Sequence, residues 1–119
     1  MKKLFISCPM KGRTEEKIRE SMAYMHRVAE TIYRTELDVI PTYITHNPPK
    51  NSQHEAVWFL GKSIELLSQA DYFVFLETDA FMGCNIEKFV ALGYDIESCI
   101  VTKEQVENAE CFSDIADII

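Results

Sequence analysis

Glu87 is the residue of this 119-residue chain whose type and position most directly suggest chemistry. It follows the apolar run YFVFL (residues 72–76) and a loop with Glu77 and Asp79, in a segment that begins at Gly83. The pattern predicts that Glu87 lies in the first turn of a helix, where the helix dipole favours an ionised carboxylate. An ionised, positioned carboxylate can attack an anomeric carbon and form a covalent sugar ester. The alternative is a plain helix-start acid, because the same dipole makes acids common there.

A second candidate ligand site is the loop SCPMKGRT (residues 7–14). Gly12 permits close approach of the backbone, and Arg13 offers a fork of hydrogen-bond donors. A helix that begins near Thr14 points free N–H groups at the same spot, which suits a phosphate or a ribose hydroxyl. The alternative is an ordinary strand-to-helix turn with a surface arginine, because the glycine spacing of a Rossmann or P-loop motif is missing.

Thiol and metal chemistry are weaker options. Cys84 precedes the third predicted helix, where the dipole could lower its pKa, but no positioned base is evident and packing is the favoured interpretation. His46 and His54 flank a proline-rich loop, but no cysteine or acid stands at a zinc-binding spacing from them. We therefore expect no metal and no cofactor.

Alternating strands and helices must position these residues. Short apolar runs predict strands at 3–7, 37–40, 72–76 and 98–102, and amphipathic patterns predict helices at 14–35, at 55–69 and in the segment that follows Gly83 and ends at Gly93. This order predicts one α/β domain over residues 1–119, with a parallel sheet of four or five strands and helices on both faces. If the first and third strands pair, the loops 7–14 and 77–85 become neighbours at the carboxyl end of the sheet.

The helix patterns also predict which side chains face the core. The first helix has an apolar stripe that ends at Ile32, and the second has one that begins at Val57. In the third helix we expect Ile86, Phe89 and Val90 to point inward and Gly93 to form the C-terminal cap. The long loop 41–53 is a candidate lid, a weak helix is expected at 104–109, and the last five residues could form a strand or a helix.

Composition excludes several classes of partner. The net charge of −7 disfavours binding to nucleic acid polymers or anionic membranes. No apolar stretch approaches the length of a membrane span, and the N-terminal run is too short for a signal peptide. The four cysteines form no C-x-x-C pair, so we expect free thiols in a cytoplasmic protein.

Two other classes of parallel α/β protein are disfavoured by the residues of the first loop. A receiver domain needs an acidic pair after the first strand, and none is present. A flavodoxin needs a loop rich in hydroxyls there, and this loop has few.

Two segments, LFISCPMKGRTEE (residues 4–16) and SIELLSQADYFVFLETDAFMGCNIEKFVALGY (residues 63–94), resemble the nucleoside 2-deoxyribosyltransferase family. Related to that family are hydrolases that cleave deoxynucleoside 5′-monophosphates to a free base and a sugar phosphate. The resemblance implies a flavodoxin-like fold, Glu87 at the nucleophile position, and Gly12 and Arg13 facing the sugar or its 5′-phosphate. It also implies a homodimer or a larger homo-oligomer.

The chain departs from the family pattern at three positions. Ser63 stands where the transferases have an Asp, Phe81 where an Asp or Ser is usual, and Leu4 where a Tyr is usual. Asp79 or Glu77 could supply the missing acid. The candidate catalytic residues are therefore Glu87, Asp79 and Ser63, and the candidate substrate-binding residues are Ser7, Cys8, Met10, Gly12, Arg13, Phe81, Gly83 and Cys84. The expected activity is N-glycosidic cleavage or transfer on a nucleoside or nucleoside monophosphate, and the alternative is a non-catalytic nucleotide-binding module on the same fold.

Overall fold

A computed structural model of the chain describes residues 1–10, 12–42, 47–78, 80–102 and 104–105. Asp79 and His46 lie outside these residues, as do most of the predicted helix at 104–109 and the last five positions. None of the helices in the described segments is both long and apolar enough to cross a membrane.

The described chain forms a four-stranded parallel sheet in the order β2-β1-β3-β4. The strands are β1 (Lys2–Ser7), β2 (Leu37–Val39), β3 (Tyr72–Glu77) and β4 (Glu97–Thr102). Three helices alternate with them: α1 (Glu15–Tyr33), α2 (Glu55–Leu67) and α3 (Met82–Gly93). The predicted α/β class with a parallel sheet is confirmed, and the architecture is compatible with a flavodoxin-like sandwich.

Two apolar clusters place the helices on opposite faces of the sheet. Leu4 and Ile6 of β1 pack with Met25 of α1 on one face. Phe5 of the same strand packs with Leu67 of α2 and Ala91 of α3 on the other. Successive side chains of a strand point to opposite faces, so the apolar residues Leu4, Phe5 and Ile6 of β1 can serve both clusters.

Helix α1 begins as the sequence predicts. The hydroxyl of Thr14 accepts a hydrogen bond from the backbone N–H of Lys17 at 3.2 Å, which satisfies one of the unpaired donors of the first turn. The predicted stripe is wrong at its last member, because the Ile32 side chain is half exposed. The inward position at this end of α1 belongs to Tyr33, whose ring stacks on Tyr72 with centroids 4.1 Å apart.

Three further expectations for α2 and α3 are wrong. The side chains of Val57 and Phe89 are exposed, although both are expected from the sequence to face the core. Gly93 is the last helical residue rather than the cap, and Asp95 takes the left-handed backbone conformation with φ 59°. Val90 packs inward as expected, and the buried residues Glu87 and Ala91 complete the inner face of α3.

Candidate functional site

The site lies at the carboxyl ends of the two central strands. Ser7, the last residue of β1, is in register with Phe75 of β3, so the loops that follow these strands are neighbours as predicted. Together with α2 they surround a cavity of about 640 Å³. This is the edge at which open parallel sheets usually bind ligands.

The Glu87 carboxyl group is the buried acid on the cavity wall, and its residue is 9% exposed. The Ser7 hydroxyl donates a hydrogen bond of 2.7 Å to Oε1 of Glu87. The Ser63 hydroxyl, from α2, donates to Oε2. Each carboxylate oxygen therefore accepts one hydroxyl, and three separate elements meet at one functional group.

The groups that stabilise the ionised form of Glu87 differ from those that the sequence predicts. Helix α3 begins at Met82, so Glu87 lies in its second turn and the first turn has no acid. The influence of the dipole falls off within the first turn, so the predicted first-turn stabilisation of Glu87 is wrong. The serine hydroxyls, rather than the end of the helix, favour the ionised form.

Burial dominates the acidity of this carboxyl group. It raises the pKa of Glu87 above the ordinary glutamate value, because the charged form loses its hydration. The hydrogen bonds from Ser63 and Ser7 lower the pKa and offset part of this effect. The result is a carboxyl group held in a fixed orientation whose charge is destabilised by its surroundings.

Two of the predicted substrate-binding residues are cysteines, and both line the cavity. Burial raises the pKa of Cys84 to about 11, although a hydrogen bond with Ser7 opposes the shift. Burial likewise raises the pKa of the Cys8 thiol. Both thiols are thus protonated at neutral pH, so the predicted effect of the helix end on Cys84 is outweighed by desolvation, and neither cysteine is an activated nucleophile.

Other predicted residues divide into those at the cavity and those away from it. Met10, Phe81 and Gly83 line the cavity together with Ser63. Gly12 and Arg13 are not among the described lining residues, and the Arg13 guanidinium instead bonds to protein atoms. The proposed ligand role of Arg13 stays a prediction, as does the role of Asp79, which lies outside the described residues.

Sequence reasoning missed one wall of the cavity. Ala56, Phe59 and Leu60 of α2 line it together with Ser63, and Thr42 approaches from the loop after β2. The spacing of these α2 residues is the three-to-four-residue repeat of one helix face, so the sequence does contain a signal for this wall. The predicted stripe begins instead at Val57 and shares only Leu60 with the true wall.

No protein-family model matches the chain, and no curated protein or solved structure matches it. The likeness to nucleoside 2-deoxyribosyltransferases therefore rests on the motifs within residues 4–16 and 63–94. What the structure adds independently is a parallel α/β fold with a buried carboxyl group in a cavity at the carboxyl edge of its sheet.

Proposed function

We propose that the cavity binds a nucleoside or a nucleoside monophosphate and that Glu87 cleaves its N-glycosidic bond. The observation that carries this proposal is the environment of one carboxyl group. Glu87 faces the cavity, is buried, and receives one serine hydroxyl on each of its oxygens. The family resemblance supports the same role for the same residue.

The reaction would proceed through a covalent sugar ester. A carboxylate oxygen of Glu87 forms a bond to C1′ while the bond from C1′ to the base nitrogen breaks, and the base leaves with the electron pair and takes up a proton. Water, or a second base, then attacks C1′ and releases the carboxylate. Water gives hydrolysis and a free sugar, whereas a second base gives transfer.

Ser7 and Ser63 act in this scheme as positioning residues for Glu87. An ionised carboxylate has about four lone-pair directions, so two serine donors leave others available for attack. Fixing the oxygens from β1 and α2 restricts the rotation of the side chain and directs one oxygen toward the substrate. Ser63, which stands where the transferases have an Asp, thus holds the nucleophile in place.

The size and lining of the cavity are compatible with this ligand class. A volume of about 640 Å³ lies within the range of small-molecule sites, which run from about 300 to 1,000 Å³. Phe59 and Phe81 add aromatic surface that can pack against a planar base. Asp79 is the candidate from the sequence for the group that protonates the leaving base.

A non-catalytic nucleotide-binding module is the second candidate. The observation that favours it is Phe81, which lines the cavity at the position where the resemblance implies an acid or a serine. Without a polar partner at that position, binding could persist while cleavage is lost. In either case we propose a small-molecule partner, a cytoplasmic location and a homo-oligomeric assembly.

The test is an assay of base release by the purified protein. Deoxynucleosides, ribonucleosides and their 5′-monophosphates are incubated with and without a second free base, and products are separated by chromatography. We expect base release or exchange by the wild type and a loss of about 10³-fold or more in Glu87→Gln, which keeps the size of the side chain but lacks the nucleophile.

Two results would contradict the catalytic proposal: no product with any substrate, or equal activity of the wild type and Glu87→Gln. Thermal-shift measurements with the same compounds then separate the two candidates. Stabilisation by a nucleotide without product indicates the binding module, whereas no stabilisation by any compound rejects both.

A further inference from the structure

Arg13 makes a set of internal hydrogen bonds that its expected role as a phosphate ligand does not explain. Its Nη1 donates to the backbone carbonyl of Pro9 at 3.0 Å and to the Cys8 sulfur at 3.6 Å. Its Nη2 donates to the Ser21 hydroxyl at 2.6 Å. One guanidinium group therefore contacts both the loop after β1 and the helix that follows it.

The two ends of this bridge differ in their surroundings. Ser21 lies on α1 and is fully buried, so it is a fixed anchor within the fold. Cys8 and Pro9 form part of the cavity wall. The backbone N–H of Arg13 also donates to the carbonyl of Met10, the third wall residue, at 3.2 Å. Arg13 thus connects the whole wall segment to the interior of α1.

We propose that Arg13 is a positioning residue that holds the cavity wall formed by residues 8–10 in place. The segment follows directly on Ser7, whose hydroxyl binds the Glu87 carboxylate. Holding Cys8 and Pro9 also restricts where β1 ends, and therefore the placement of the Ser7 donor. This last step, from the wall to the reacting group, rests on the proposed function; the attachment of the wall to α1 does not.

The chemistry of the guanidinium explains why an arginine serves at this position. Its planar fork presents several N–H donors in fixed directions, so it can bond a carbonyl, a thiol and a hydroxyl at the same time. A lysine ammonium is a point charge on a flexible chain and does not reproduce this spread of donors. Arg13→Lys keeps the positive charge and therefore separates the bridging role from a purely electrostatic one.

The experiment measures how well the wall protects Cys8. The folded protein and the variants Arg13→Lys, Arg13→Met and Ser21→Ala are treated with N-ethylmaleimide, and alkylation rates at Cys8 and Cys99 are followed by peptide mass spectrometry. Cys99, on β4, is the internal reference for general loosening of the fold. Thr14→Ala is the matched control, because it removes the cap of α1 at the same junction but leaves the bonds to the wall intact.

We expect the Cys8 rate, relative to Cys99, to rise about tenfold in Arg13→Lys, which keeps a positive charge beside Cys8 but loses the hydrogen bonds of the guanidinium. The rise should be smaller in Arg13→Met, because Arg13 offsets part of the increase that burial causes in the pKa of Cys8, and the loss of its charge reduces the fraction of reactive thiolate. Ser21→Ala should also give a smaller rise, and Thr14→Ala none. Calorimetry with a deoxynucleoside and its 5′-monophosphate should show affinities that fall about tenfold in both Arg13 variants, because the wall serves both ligands.

An unchanged relative Cys8 rate in Arg13→Lys and Ser21→Ala overturns the proposal, even if Arg13→Met does not fold. It is also overturned if the loss of affinity is confined to the monophosphate, since that result assigns Arg13 to the phosphate. If the wild type neither binds nor cleaves nucleosides, the proposed function fails, and the alkylation rates still decide whether Arg13 holds the wall.

Discussion

At the residue scale, the burial of Glu87 in the candidate site lowers the stability of the folded protein. Burial raises its pKa, so the folded state binds a proton at this carboxyl group more tightly than the unfolded state does. Between the ordinary glutamate pKa and the raised one, the unfolded state holds fewer protons, and stability falls as the pH rises. Buried charges that oppose stability in this way are typical of functional sites.

Glu87→Gln is therefore expected to be more thermostable than the wild type at neutral pH, by a few degrees, although its activity is lost. The amide keeps a hydrogen-bond acceptor for one serine and removes the buried charge. Melting curves from about pH 4 to about pH 8 should show the advantage growing as the pH rises through the raised pKa. Ser68→Ala, which loses an exposed hydroxyl bonded to the Glu65 carbonyl, serves as the control without a buried charge.

A wild type that is more stable than Glu87→Gln at neutral pH contradicts this expectation, because the serine bonds would then outweigh the desolvation of the carboxylate. The activity of the wild type supplies an independent measure of the same pKa. It should rise with pH through that value, because the ionised carboxylate is the nucleophile.

At the element scale, the side chains of Glu30 and His26, together called the polar clasp, attach the C-terminal part of α1 to the edge strand β2. The Glu30 carboxylate accepts a hydrogen bond from the backbone N–H of Leu37 at 2.8 Å. His26 Nε2 lies 2.9 Å from the carbonyl oxygen of Leu37 and 3.2 Å from Oε2 of Glu30. Because β2 is a three-residue edge strand that leads toward Thr42 at the cavity, this clasp contributes to the position of the cavity rim.

Glu30→Ala is expected to lower the free energy of unfolding by about 1 kcal/mol, since it removes the partner of a part-buried backbone donor. Hydrogen exchange should accelerate at Leu37 more than at the central strands. Thr31→Ala, on the same helix, loses a hydroxyl bond to the Arg27 carbonyl within α1 and controls for local effects on the helix. Equal exchange at Leu37 in the wild type and in Glu30→Ala contradicts the clasp.

At the scale of the whole molecule, α3 presents an apolar surface away from the sheet. Met82, Phe89 and Leu92 are 73%, 69% and 51% exposed, and their spacing of seven and three residues places them along one side of the helix. Met82, at the start of this row, also lines the cavity. An exposed apolar row on a chain of this size is typical of an interaction surface. We propose that a second copy of the chain covers it, as the family resemblance also implies.

Phe89→Glu should therefore raise the dissociation constant of the assembly by at least about tenfold, because it places a charge where the proposed interface would bury an aromatic ring. Sedimentation or light scattering over a range of concentrations measures the change. Ile32→Glu is the matched control, since Ile32 is about equally exposed as Leu92 but belongs to α1 on the opposite face of the sheet. A wild type that stays monomeric at high concentration rejects the interface.

The local patterns of the sequence are enough to predict most of the architecture. The apolar run at 72–76, the Thr14 cap and the order of alternating elements predict a parallel sheet with helices on both faces, and the structure has that sheet. The sequence leaves the pairing of β1 with β3 open, and the structure shows that the two strands pair. These features depend on neighbours in the chain, whose periodicity and capping are visible in the sequence itself. The rule that ligands bind at the carboxyl edge of such a sheet then locates the cavity.

The side of each helix that faces the core is harder to predict, because the helical period of apolar residues does not determine which of them the sheet covers. Val57 and Phe89 match the helical period and still lie outside, while Glu87, a charged residue, occupies an inner position on α3. The depth at which Glu87 is buried is decided by the packing of α2 and α3 against the sheet, and the apolar period of a single sequence does not contain that information.

The amino-acid sequence alone is enough to predict the class of fold and the end of the sheet at which the candidate site lies, and its resemblance to the transferases singles out Glu87 as the candidate acid. The way in which Glu87 is held becomes visible only in three dimensions. Its two hydroxyl donors are 80 and 24 positions away in the chain, on a strand and on another helix. No local pattern encodes such a meeting, because it depends on the order of the strands and on how deeply each helix packs against them.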